Sequence, residues 1–123
     1  LSLVGSEMCI RDSNKTAEWL FKKREISYKE LTTHRISQTG KLIEEIIDYT
    51  FIENNICWVI DFKISAPNNN ESLIEFLSKE EEIYYEKLKS YQYTMRKKLK
   101  LKTKMALYFP LIPYLHEVNI HNN

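Results

Sequence analysis

Two runs of β-favouring residues, Leu42 to Ile52 and Ile56 to Ile64, flank Asn54-Asn55, and this arrangement constrains the fold more than any other part of the chain. Both runs are rich in residue types that suit a pleated, half-buried surface. Asparagine tolerates a positive φ better than most residues, so Asn54-Asn55 suits a two-residue hairpin turn. A hairpin closed there pairs Glu53 with Ile56, and stepping outward along both strands brings Asp48 opposite Asp61. Directly opposed residues share a sheet face with Cβ atoms about 4.5 to 5.5 Å apart, and Lys63, two residues beyond Asp61, points the same way. A loop one residue longer makes the two aspartates diagonal instead.

Two carboxylates so placed repel by about 3 kcal/mol at an effective dielectric near 20. A divalent cation offsets this, since Mg²⁺ (or Mn²⁺) prefers hard oxygen ligands and takes one or two carboxylates, waters and a substrate phosphate. Such an ion lowers the pKa of a bound water and steadies charge on phosphate oxygens during in-line attack. Lys63 is then placed to orient or help deprotonate the water, or to stabilise the developing charge. The spacing alone equally fits a solvated sheet face on which Lys63 is a salt-bridge partner.

Around this hairpin the pattern predicts a helix end over Thr16 to Arg24, carrying Ala17, Leu20 and Phe21, and an extended segment over Ser27 to Ile36. Gln38-Thr39-Gly40 supplies turn chemistry, and Ser65 to Asn70, with Pro67 and three asparagines, reads as a loop. Ser78 and Glu81 match a capping box, after which Tyr84, Leu88, Tyr91, Met95 and Leu99 recur at helical spacing. Lys104 to Phe109 and Tyr114 to Ile120 read as strands about a Pro110 to Pro113 turn. Helix end, three strands, long helix and two strands indicate an α/β (α+β) layer architecture. Gly5 and Gly40 are the only glycines, so no glycine-rich phosphate loop supports a dinucleotide fold.

With 123 residues, 43% hydrophobic and 28% charged, the composition fits one soluble globular domain. No run approaches the roughly 18 to 20 apolar residues of a membrane span, and no secretory signal is recognisable, so the expected location is cytoplasmic, with no membrane partner. Cys9 and Cys57 are too few for a disulfide framework, a four-thiolate zinc site or an iron–sulfur cluster, and Cys57 reads as a small buried residue. The formal net charge of +1 hides an acidic stretch from Glu71 to Glu86 and six basic residues in nine from Arg96 to Lys104. Arg96, Lys97 and Lys98 are candidate contacts for DNA phosphates, although cations also suit a solvated helix C-terminus. His34, His116 and His121 read as surface residues. Trp19 and Trp58 read as core, with base stacking open to Tyr93.

The segment Leu3 to Ser13 resembles the translation of a transposase-type sequencing adapter. The expectation is that residues 1–13 are an artefact and that residues 14–123 form an N-terminally truncated domain whose natural sequence continues upstream.

Ile47-Asp48-Tyr49-Thr50-Phe51, Trp58 to Ser65 and Ala106 to Leu111, in that order and spacing, resemble the C-terminal nuclease domain of RecB-type helicase–nucleases. These comprise the exonuclease V beta subunit and related UvrD-like helicases of the PD-(D/E)xK superfamily, and the likeness runs from about Trp19 to Val118. It implies a restriction-endonuclease-like mixed sheet flanked by helices. It also implies Mg²⁺-dependent DNA hydrolysis by metal-activated water in double-strand break repair and recombination, with Asp48 and Asp61 as metal ligands and Lys63 as the catalytic lysine. The partners implied are DNA, the helicase portion of the same polypeptide and other subunits of such a complex. Glu30 stands where such domains often carry a glutamate, and Tyr91 matches a tyrosine of the following helix motif. Lys87 replaces the expected glutamine, Tyr49 an expected arginine, and the family's upstream histidine ligand has no counterpart, as truncation would produce. These departures motivate an alternative, a catalytically degenerate DNA-binding or scaffold domain of the same fold.

Overall fold

The computed structural model describes residues 13–121, so residues 1–12 of the suspected adapter segment 1–13, Cys9 among them, lie outside the described part. Its elements are α1 (Ser13–Phe21), β1 (Ser27–Ile36), β2 (Leu42–Glu53), β3 (Ile56–Phe62), α2 (Leu73–Leu99), β4 (Lys102–Phe109) and β5 (Tyr114–Val118). The strands form a five-stranded sheet in the order β1-β2-β3-β4-β5, antiparallel except where β4 runs parallel to β3. That parallel step needs a crossover, and α2 supplies it. The result is a mixed α+β architecture with a core on each sheet face. Cys57, Val59, Met105, Leu107 and Phe109 pack with Phe76, Leu77, Leu88, Tyr91 and Met95 of α2. Tyr49, Phe51, Trp58, Ile60, Ala106 and Tyr108 pack on the opposite face with Leu20 of α1. Cys57 is fully buried, as expected, and burial pushes its thiol pKa up.

The asparagine turn forms as the sequence predicts. Asn54 and Asn55 have φ of 52° and 62°, the left-handed conformation a type I′ turn requires. Glu53 pairs with Ile56, and the register continues without a slip to Tyr49 and Ile60.

Several boundaries differ from expectation for identifiable reasons. Two Ser-x-x-Glu sequences compete to start α2, and the earlier one wins: Glu75 N–H donates to Ser72 Oγ at 3.1 Å while Ser72 N–H donates to Glu75 Oε1 at 2.9 Å. Starting there lets Phe76 and Leu77 enter the core, whereas a helix begun at Ser78 leaves them outside it. At its other end Lys100 takes a left-handed φ of 59° and its N–H closes on Arg96 O at 2.8 Å. α1 stops at Phe21 rather than Arg24, because the Arg24 guanidinium turns back onto the carbonyls of Trp19 and Leu20 and satisfies acceptors the helix end leaves free. β4 starts at Lys102, two residues early, where it joins the register of Ile56. β3 ends at Phe62 and β5 at Val118, each two residues short of expectation.

One irregularity organises the sheet. Ile47 and Tyr49 are two residues apart, so a regular strand puts them on one face, yet Ile47 packs with α2 and Tyr49 in the opposite core. Pairing between β1 and β2 skips the level of Glu30 and Asp48, and Glu30 has a left-handed φ of 51°. The strands therefore turn over at Asp48.

Candidate active site

Asp48 lies at this turnover, and its carboxylate substitutes for a missing backbone acceptor. The N–H of Lys63 donates to Tyr108 O in β4 at 2.9 Å, so the preceding N–H, that of Phe62, faces β2. There it meets Asp48 Oδ2 at 2.8 Å rather than a carbonyl. The ladder ends one pair short of Asp48 and Asp61, but the Asp48 carboxyl still lies close enough to Asp61 to push its pKa up.

Asp61 is 1% exposed. Its Oδ2 has Lys63 Nζ at 3.0 Å and Lys87 Nζ at 3.7 Å, yet it accepts no well-aligned hydrogen bond. Burial foremost, and the Asp48 carboxyl after it, push the Asp61 pKa up against the pull of the two lysines. For Lys63 the balance runs the other way. Burial favours the neutral amine, but the Asp61 carboxylate outweighs it and holds Lys63 protonated, with Nζ also 3.6 Å from the centre of the Tyr84 ring. In this state Lys63 donates and carries charge. It has no lone pair with which to act as a base.

The α2 helix lays a stripe across this end of the sheet. Glu80, Tyr84, Lys87 and Tyr91 recur at spacings of four, three and four and so share one helix side. Buried Glu80 accepts from Ser65 Oγ at 3.3 Å, Tyr84 covers Lys63, Lys87 reaches Asp61, and Tyr91 Oη donates to Ile46 O at 2.9 Å. Ser90 donates to Glu45 Oε2 at 2.7 Å beside them. The sequence reading missed Glu80 and Tyr84 as neighbours of the site. Their spacing to Lys87 and Tyr91 is the available signal.

The other expected residues divide. Lys87 and Tyr91 stand at the site. Glu30 is aligned with Asp48 in register but is exposed, and it does not join the carboxylate pair. Arg96 and Lys97 are exposed; Arg96 lies half a turn around α2 from Lys87 and Lys97 nearly a quarter turn, while Lys98 returns to the Lys87 side about three turns on. His34 pairs with Glu44 at 3.0 Å and His116 with Glu81 at 2.8 Å. Among the described residues no third Asp, Glu, His or Cys completes a ligand cluster. Two carboxylates, one with a buried oxygen lacking a well-aligned hydrogen bond, suit a hard divalent cation that keeps several waters and takes a substrate phosphate.

Neither protein-family models nor curated protein sequences match the chain. No described helix is long and apolar enough to cross a membrane.

Proposed function

We propose that the chain is part of a Mg²⁺-dependent (or Mn²⁺-dependent) deoxyribonuclease, a restriction-endonuclease-like domain from a RecB-type helicase–nuclease that processes double-strand ends in the cytoplasm. One observation carries this reading: the hairpin register brings Asp48 beside buried Asp61, with Lys63 Nζ 3.0 Å from Asp61 Oδ2. Asp48 and Asp61 would hold the cation, which when bound polarises a water and the phosphate oxygens. The chain's own residues do the rest. Lys63, kept cationic, stabilises charge developing on the phosphate, and Tyr84 shields that ammonium from solvent and orients it. Lys87, 42% exposed, is close enough to meet a phosphate oxygen once Asp61 is engaged elsewhere.

The test is Mg²⁺-dependent degradation of linear DNA. Loss of activity in both Asp61→Ala and Lys63→Ala is expected, and activity surviving in both would reject the site. Lys87 favours a second reading, a degenerate DNA-binding domain, because its ammonium competes with a metal for Asp61 Oδ2. DNA binding without cleavage, in a protein restored to full length, would favour it.

A further inference from the structure

The C-terminal half of α2 carries a second feature, centred on Lys89, Tyr93 and Arg96, which lie a third to half a turn around the helix from Lys87. Arg96 is nine residues beyond Lys87, half a turn around the helix and about 14 Å along it. Three clefts meet on this side. The first, about 320 Å³, lies between the tip of the β1–β2 hairpin and the helix and is lined by Arg35, Tyr93, Lys97 and Lys98 among others. The second, about 500 Å³, shares Tyr93 and Lys97 with it and adds Lys89 and Arg96. The third, about 570 Å³, shares Arg96 and continues past Lys100 to Lys102 at the start of β4. Among the described residues none of the three is lined by a carboxylate. The acids paired with residues lining the first cleft are engaged there: Glu44 with His34 at 3.0 Å, and Glu45 with Arg35 at 3.4 Å. Towards the helix N-terminus this side turns acidic at Glu86 and Glu82, which bounds the feature.

We infer that these joined clefts are a track for single-stranded nucleic acid, distinct from the Asp48–Asp61 site. A row of cations tracks a phosphate backbone, and Tyr93 in its middle marks the occupant as single-stranded. Tyr93 is 59% exposed, is shared by two of the clefts, and has Lys97 Nζ 5.5 Å from its ring centre. A bare aromatic ring among cations is the platform on which an unpaired base stacks, and a duplex has no such base to offer. The track rests on the nuclease reading only for the kind of polymer.

The test is fluorescence anisotropy of a labelled 15-nucleotide oligothymidine with the whole chain in EDTA, where no cleavage occurs, over a range of salt. Binding should fall with salt, and Arg96→Glu and Lys97→Glu should each weaken it about tenfold and flatten its salt dependence by roughly one phosphate contact. Tyr93→Ala should also weaken it about tenfold. Reversal of a lysine outside the track, Lys41→Glu, should change it less than twofold. The inference fails if the chain does not bind, if Lys41→Glu costs as much as Lys97→Glu, if Tyr93→Ala is silent, or if a duplex of equal length binds as tightly. The expected binding pattern without Mg²⁺-dependent cleavage in a protein restored to full length would sink the nuclease reading and leave the track standing. Cleavage with track variants binding like the parent would do the reverse.

Discussion

Glu53 at the closed end of the β2–β3 hairpin and Asp61 at its open end are both carboxylates facing cations, yet the fold completes one and leaves the other incomplete. Glu53 receives Trp19 Nε1 at 2.7 Å, Arg24 Nε at 2.9 Å and Lys22 Nζ at 2.9 Å. Burial pushes its pKa up, but these three donors outweigh burial and hold it below the usual carboxylate range. Arg24 in turn lies 3.7 Å from the centre of the Phe51 ring and fixes the end of α1. Asp61 has two ammonium groups nearby, a second carboxyl beside it, a raised pKa and an oxygen with no well-aligned hydrogen bond. A carboxylate satisfied on every side serves the fold. One held in burial with a carboxyl neighbour is available for a ligand that brings positive charge.

The sharpest way to break this contrast is to remove each carboxylate in turn. Asp61→Asn and Lys63→Ala should each lower Mg²⁺-dependent DNA cleavage by about 100-fold or more. Asp61→Asn should at the same time leave the thermal midpoint unchanged or raise it, since a buried charge beside another carboxyl is lost. A drop in midpoint of many degrees would make Asp61 a structural residue like Glu53. Glu53→Ala should behave oppositely. It strands Arg24, whose side chain is 4% exposed, and should cost about 2 to 3 kcal/mol in urea unfolding, less than a fully buried pair because Glu53 keeps some solvent.

Acid titration refines the same contrast. Because folding lowers the Glu53 pKa, its contribution is full above the unfolded value near 4 and is lost as pH falls through the folded value. The stability gap between parent and Glu53→Gln should therefore be wide at pH 7 and narrow by about pH 3, measured by urea midpoints. A gap that held at pH 3 would show the donors are not acting on a charged Glu53. The smallest expected effect is at Lys87. Its ammonium is 3.7 Å from Asp61 Oδ2 but 42% exposed, so Lys87→Gln should tighten Mn²⁺ binding only about two- to fivefold by calorimetry. Weaker metal binding in that variant would mean Lys87 supports the ligand rather than competing with it.

The hairpin was the legible part of the sequence because its signals are local. Asn54-Asn55 fixes a turn, the turn fixes a register, and the register delivers Asp48 to Asp61. β1, Ser27 to Ile36, is legible for the same reason, with turn residues following it. What sequence could not supply depended on distant partners. Choosing Ser72 over Ser78 required knowing that Phe76 and Leu77 have a core to enter. The end of α1 required Arg24 to find Glu53, far along the chain. The turnover at Asp48 has no spelling at all, since neither Glu30 nor Asp48 is a glycine whose presence would announce a reversed backbone. Splitting Arg96 from the site needed the direction in which α2 faces.

That turnover has a bearing on how such a domain can change over time. Beyond Asp48 the β1–β2 arm has reversed its faces and is no longer paired to β3, so residues gained or lost towards its tip at Gly40 leave the carboxylate where it is. Between Asp48 and Asp61 the situation is the opposite, because one added residue swings one aspartate to the aromatic face among Tyr49, Trp58 and Ile60. Descendants of this chain should vary freely in the length of the arm and hardly at all in the count from one aspartate to the other.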